Sequence, residues 1–186
     1  MRVSDAIQHR RSIKRFTDRQ VTRDDIEAVL DAAVQAPNHR LTLPWRFYVL
    51  GPEARDAYGR ALGDRKARKL PDPEAANRVR DTVAAEHRAL PAMIVVAVVE
   101  KEDAEAREED YAAAMMAIQN LSLAALERGL GTHMKTGAVM ADPAARAAIG
   151  LPDDQRIVAL VNLGEPAEEP GPKARRGAAE LTTWLP

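Results

Sequence analysis

Residues 92–99 read AMIVVAVV, and after a short acidic stretch residues 106–128 read AREEDYAAAMMAIQNLSLAALER. The first run is apolar without alternation, the pattern of a strand covered on both faces. The second carries Tyr111, Met115, Ile118, Ser122 and Ala125 on one helical face and Ala114, Ala117, Leu121 and Ala124 on an adjacent one. A helix that is apolar on most sides and rich in small residues belongs at the centre of the protein or of a dimer.

Working outward from this pair, the upstream chain reads as mixed structure. Val3–His9 reads as a short helix with Ser4 as its cap. Thr22 with Asp25 has the spacing of a capping box, and Ile26, Val29, Leu30, Ala33 and Val34 then form one apolar stripe. Pro37 stops that helix. Ala36 to Pro44 is a loop, Arg46 to Leu50 a short strand, and Gly51-Pro52 opens another helix. Residues 63–73, with Arg65, Lys66, Arg68 and Lys69 in one run, read as a mobile segment before a helix from Pro73 to Arg88. Downstream, Gly129 and Gly131 end the long helix, and residues 131–137 form a short strand or loop. Asp142-Pro143 starts a helix to about Ile149, and Arg156 to Leu163 is the last strand. Residues 165–172 read as irregular. Four or five strands among six or so helices, without strict alternation, define an α+β class. The 186 residues fit a single domain, residues 1–186, with no internal linker.

Composition removes whole classes of function. Lys and Arg number 27 against 28 Asp and Glu, for a formal net charge of −1, which lacks the basic excess of a dedicated nucleic-acid binder. With no cysteine, disulfides, thiolate zinc sites, cysteine nucleophiles and iron–sulfur clusters are all excluded. The charged N-terminal residues do not resemble a signal peptide, and the 92–99 run is far short of the roughly 20 residues of a membrane helix, so a soluble cytoplasmic protein is expected. Gly129-Leu130-Gly131 is not a dinucleotide fingerprint, because Met134 stands where a glycine is needed. Lys135-Thr136 lacks the preceding glycine of a nucleotide-binding P-loop. Lys135-Thr136-Gly137 matches one serine β-lactamase box, but Ser4, Ser12 and Ser122 are followed three places on by Ile7, Arg15 and Ala125 instead of the lysine that chemistry requires. His9, His39, His87 and His133 are dispersed, without metal-ligand spacing.

Two basic clusters remain. Arg10, Arg11, Lys14 and Arg15 surround Ser12, and Lys173, Arg175 and Arg176 lie near the end. Arginine forks and a serine hydroxyl suit an ordered phosphate. Read alone, the same cations are better taken as solvated charges offsetting a helix dipole, and the second cluster as a solvated tail. Asn38-His39-Arg40 lies in a loop before Pro44-Trp45, and Met134-Lys135-Thr136 follows a glycine pair that lets backbone approach a flat ligand. Read alone, these are also an ordinary surface loop and an ordinary helix-to-strand turn.

In order along the chain, Arg10-Arg11-Ser12-Ile13-Lys14-Arg15-Phe16, Ala36-Pro37-Asn38-His39 with Pro44-Trp45-Arg46-Phe47, Gly129-Leu130-Gly131 with Met134-Lys135-Thr136-Gly137, and Leu163-Gly164-Glu165-Pro166 resemble the FMN-dependent nitroreductase family, specifically its small single-domain members. Leu43 and Met134 depart from that pattern, standing where many members have glutamine and an aromatic residue.

The resemblance implies a three-layer α/β/α sandwich with a mostly antiparallel mixed sheet, assembled as a homodimer with FMN at the subunit interface. It implies that Arg10, Ser12 and Arg175 or Arg176 hold the phosphate, with Arg11 adding charge. Lys14 would stand at the N1 and O2 edge of the flavin, and His39 would reach it from the partner. Met134, Lys135 and Thr136 would line the other face. Hydride would pass from NADH or NADPH through flavin N5 to a nitroaromatic, quinone or activated alkene by a ping-pong route, with no side-chain nucleophile. Two other readings stand beside it. One is a same-fold flavin enzyme that destroys flavin or removes halogen; the other is a cofactor-free helical dimerisation or adaptor protein. The colour of the purified protein separates the last from the others.

Overall fold

The computed structural model describes residues 1–186. Its elements are α1 (Val3–His9), α2 (Arg23–Ala33), β1 (Trp45–Val49), α3 (Pro52–Ala67), α4 (Pro73–Arg88), β2 (Ala92–Val99), α5 (Ala104–Glu127), β3 (Gly131–Lys135), α6 (Pro143–Ile149) and β4 (Gln155–Gly164). The four strands form one sheet in the order β1-β2-β4-β3, and every ladder in it is antiparallel. Parallel pairing enters only as a bridge between Ser12 and Thr132.

The unbroken apolar run of β2 has the physical origin its pattern implies. Ile94, Val96 and Val98 face a core shared with Val29 and Ala33 of α2 and with Ala113, Ala117 and Leu121 of α5. Met93, Val95 and Ala97 face a second core with Tyr58 and Ala61 of α3 and Ala145 of α6. Helices therefore cover both faces, giving three layers. Within α5 the buried positions include Ala113, Ala114, Ala117, Ile118, Leu121 and Ala125, while Tyr111 and Met116 stay open to solvent. The alanine stripe lets the helix lie close on the sheet.

Three local expectations change. Ser4 does not cap α1: Arg2 occupies the cap position and makes no side-chain cap bond. The long helix begins at Ala104, two residues early, because the Asp103 carboxylate accepts from Ala106 N at 2.8 Å. The stretch expected to be mobile from residue 63 is helical as far as Ala67. Gly63 there is a contact residue and not a break. A Cβ on it would stand 2.8 Å from Arg80 Cα, and one on Gly59 would stand 2.8 Å from Ala84 Cα. The two glycines let α3 and α4 cross backbone to backbone. The Thr22–Asp25 capping box forms as its spacing predicts, with both reciprocal bonds present. Arg128 Nε donates to the same buried carboxylate at 2.7 Å. This bond, together with those from Thr22, holds the Asp25 carboxyl below the usual carboxylate range.

Candidate functional site

The segment after α1 lies along the outer edge of β3. Ile13 N–H donates to the Thr132 carbonyl at 2.9 Å, and Ser12 bridges the same residue. Farther on, the Thr17 hydroxyl donates to Glu165 at 2.7 Å, and Ala167 N–H donates to the Arg15 carbonyl at 3.0 Å. Gly131 makes the approach possible, because any Cβ there would run into the Ile13 side chain. The Arg10–Arg15 segment thus runs beside the strand that carries Met134 and Lys135 and leads to Thr136, although the two motifs lie far apart in sequence.

Of the four charges around Ser12, only Arg15 has an acidic partner. Neither Arg10, half-buried, nor Lys14, exposed, forms an ion pair, whereas Arg15 stands 3.8 Å from Glu168. The Arg11 guanidinium is turned back on the helix, donating to the Gln8 carbonyl at 2.5 Å and the Arg10 carbonyl at 3.0 Å. It satisfies carbonyls that the end of α1 leaves open. Unpaired cations beside an exposed hydroxyl are the donor set a phosphate dianion requires.

Along β3 the side chains alternate. Met134 pairs with Val161 and lies on the α5 side, 43% exposed. His133 and Lys135 lie on the α3–α6 side. Burial lowers the pKa of both, with Lys135 and Lys14 adding to the effect at His133, and Lys66 adding to it at Lys135 against the opposing Glu86. Lys14 and Lys135 thus place positive charge beside a His133 held neutral near pH 7, and Lys66 adds positive charge beside Lys135. Thr136 is exposed just beyond the strand.

His39 sits in the loop between α2 and β1, away from these residues. Its Nδ1 is 2.6 Å from Glu109 Oε1 of α5, and since an ionised carboxylate only accepts, Nδ1 carries the proton. In that loop Arg40, Leu41 and Leu43 have φ of 54°, 50° and 44°, a region costing non-glycine residues about 1–3 kcal/mol each. The Thr42 hydroxyl donates to the buried Asp110 carboxylate at 2.7 Å, and Leu43 N–H donates to Asn38 Oδ1 at 3.0 Å.

Arg175 and Arg176 lie in an exposed C-terminal segment, and neither forms an ion pair. Sequence reading missed Glu109, Asp110 and His133. The first two looked like part of an acidic lead-in to the helix, and only their place opposite the 38–43 loop gives them a task.

The chain is a three-layer α+β sandwich whose N-terminal cationic segment lines a sheet edge. Comparison with known proteins makes this specific. Residues 7–165 match the model of the nitroreductase family. A Bacillus subtilis protein named "Putative NAD(P)H nitroreductase YfhC" is 34% identical over 174 residues, covering 92% of this chain and 88% of its own. A nitroreductase-like family protein from Bacillus cereus superimposes with a TM-score of 0.86 at 32% identity, over 100% of this chain and 96% of that one. A Desulfovibrio desulfuricans protein solved in complex with FMN superimposes with a TM-score of 0.73 at 28% identity, over 99% and 96% of the two chains. The chain belongs to the nitroreductase family.

Proposed function

We propose that the protein, acting as one 186-residue unit, is an FMN-dependent NAD(P)H oxidoreductase. It works as a homodimer in the cytoplasm and reduces nitroaromatic, quinone or activated-alkene acceptors in a ping-pong cycle. The observation that carries this reading is the convergence of the unpaired Arg10 and Lys14 around Ser12 with the Met134–Thr136 strand end at one edge of the sheet. Family membership, the relative named as an NAD(P)H nitroreductase and the relative solved with FMN support it.

Bound FMN would supply the two-electron redox chemistry between NAD(P)H and the acceptor. The chain's own residues bind, orient and tune. Arg10 and the Ser12 hydroxyl hold the phosphate. Lys14 would place positive charge beside the ring, and Met134, Lys135 and Thr136 would line it. Arg175 or Arg176 joins the phosphate from the exposed C-terminal segment. His39 reaches the flavin bound to the partner.

The test is spectroscopic and kinetic. Purified protein should be yellow, and apoprotein should bind FMN more tightly than riboflavin. In Arg10→Ala, losing a charge-assisted contact of about 1.5–3 kcal/mol should weaken FMN binding more than tenfold and leave riboflavin binding unchanged. NAD(P)H oxidation against a nitroaromatic should give parallel double-reciprocal lines. Equal affinity for the two flavins would overturn the phosphate assignment. Tight FMN binding without acceptor turnover would favour non-reductase flavin chemistry on the same fold.

A further inference from the structure

The 38–43 loop is built against its own backbone preferences. It contains no glycine, yet Arg40, Leu41 and Leu43 all lie in the left-handed region. Such conformations persist only where surrounding contacts over-determine them, and they concentrate where geometry matters for binding. Here the contacts come from two adjacent acids of α5. Glu109 meets His39 Nδ1 at 2.6 Å, and the Asp110 carboxylate, 3% exposed, accepts from the Thr42 hydroxyl at 2.7 Å. Asn38 Oδ1 closes the loop on Leu43 N–H. The Arg46 guanidinium steadies its last residue by donating to the Leu43 carbonyl at 3.1 Å.

These tethers leave a defined outer edge. His39 has only Nε2 free, an acceptor in the neutral ring, since Nδ1 is committed. Leu41 is 79% and Leu43 53% exposed, so the strain places two large apolar side chains where they bury little within their own chain. A loop stabilised for its own sake would turn its leucines inward and place glycine at its left-handed positions.

We infer that Glu109, and Asp110 through Thr42, are positioning residues that hold the 38–43 loop in one strained conformation, so that His39 Nε2, Leu41 and Leu43 are presented ready-formed to the flavin ring carried by a second copy of the chain. This rests on the flavoprotein reading above. The binding-competent loop would otherwise be one conformer among several, and apparent flavin affinity falls in proportion to its population. Because the loop meets the ring and not the phosphate, loosening it weakens FMN and riboflavin alike. That signature differs from the one at Arg10.

The experiment uses apoprotein of the wild type, Thr42→Val, Thr42→Ser and Glu109→Gln. It reads dissociation constants for FMN and for riboflavin by quenching of flavin fluorescence, and the melting temperature of each apoprotein. Thr42→Val and Glu109→Gln should each weaken both flavins by the same factor, roughly three- to tenfold. Thr42→Ser, which keeps the hydroxyl, should bind like wild type. Glu109→Gln, at a partly exposed pair, should melt with the wild type, whereas Thr42→Val leaves the buried Asp110 carboxylate without its hydroxyl partner and should melt lower, so Glu109→Gln carries the distinction between positioning and stability. Wild-type affinity in both Thr42→Val and Glu109→Gln would overturn the inference while leaving the flavoprotein reading intact. So would a loss of affinity in Glu109→Gln that comes only with a loss of its melting temperature. A wild type that binds neither flavin would overturn both.

Discussion

His87 is the one fully buried histidine, and its surroundings set a pH dependence. Its Nδ1–H donates to the Val83 carbonyl at 2.7 Å, its ring lies 5.7 Å from that of Tyr58, and its Nε2 is buried without a partner. Burial lowers its pKa, an effect partly offset by the Val83 carbonyl, while Lys135 and Lys66 lower it further and Glu86 opposes them. The folded-state value therefore lies below that of the unfolded chain, near 6.5. Between the two values the unfolded chain binds more protons, so stability is complete above the unfolded pKa and is lost as pH falls toward the folded one. His133 shifts in the same direction and adds to the slope. Thermal melts of the wild type should show a falling melting temperature as pH drops below about 6.5. His87→Phe should remove part of that decline, and an unchanged pH profile in the variant would show that His87 charges freely in the fold. Some single residues were legible in the sequence and some were not. The Thr22–Asp25 box could be read because both partners lie within one helical turn. The Ser12 cluster could be read as a concentration of charge. That Arg11 turns to carbonyls while Arg10 stays unpaired depends on where α1 ends, and no spacing rule encodes it.

At the scale of elements, β2 and α5 were legible because burial on both faces, or on most sides, leaves a compositional mark of its own. The α3–α4 hairpin was not, since a glycine in a polar run signals a break as readily as a close crossing. Its two glycines carry the packing. A side chain at Gly63 must displace Arg80 backbone, and one at Gly59 must displace Ala84 backbone. Gly63→Val should therefore destabilise by about 1–3 kcal/mol, the usual cost of overpacking, although helix propensity alone would favour the change. Urea melts read this directly. A midpoint at or above that of wild type would mean that α3 and α4 can separate without loss. The loop between α2 and β1 was legible only as a loop, because its tethers to Glu109 and Asp110 bridge segments far apart in sequence.

At the scale of the whole molecule, the isolated chain leaves large apolar side chains in the open. Val3 and Ile7 of α1 are 72% and 55% exposed, and Leu181, Trp184 and Leu185 of the C-terminal segment are 62%, 90% and 84% exposed. Exposed clusters of this kind mark interaction surfaces. Together with Arg175 and Arg176 in the same segment, they lead us to expect a dimer. Light scattering at micromolar concentration should give about twice the chain mass with flavin bound, and a monomer mass with flavin bound would refute it. The seam between the first residues of the chain and the sheet edge has a consequence for biosynthesis. Ser12 meets Thr132, and Thr17 meets Glu165 across a separation of 148 residues. On a ribosome, where chains emerge from the N-terminus onward, the segment proposed to bind phosphate is among the first parts to appear and among the last to find its partners. A nascent chain can form the α3–α4 hairpin early, but it carries the Arg10–Arg15 cations unanchored until β3 and the end of β4 have emerged. On the function proposed above, cofactor loading is thereby reserved for a chain whose synthesis is nearly complete.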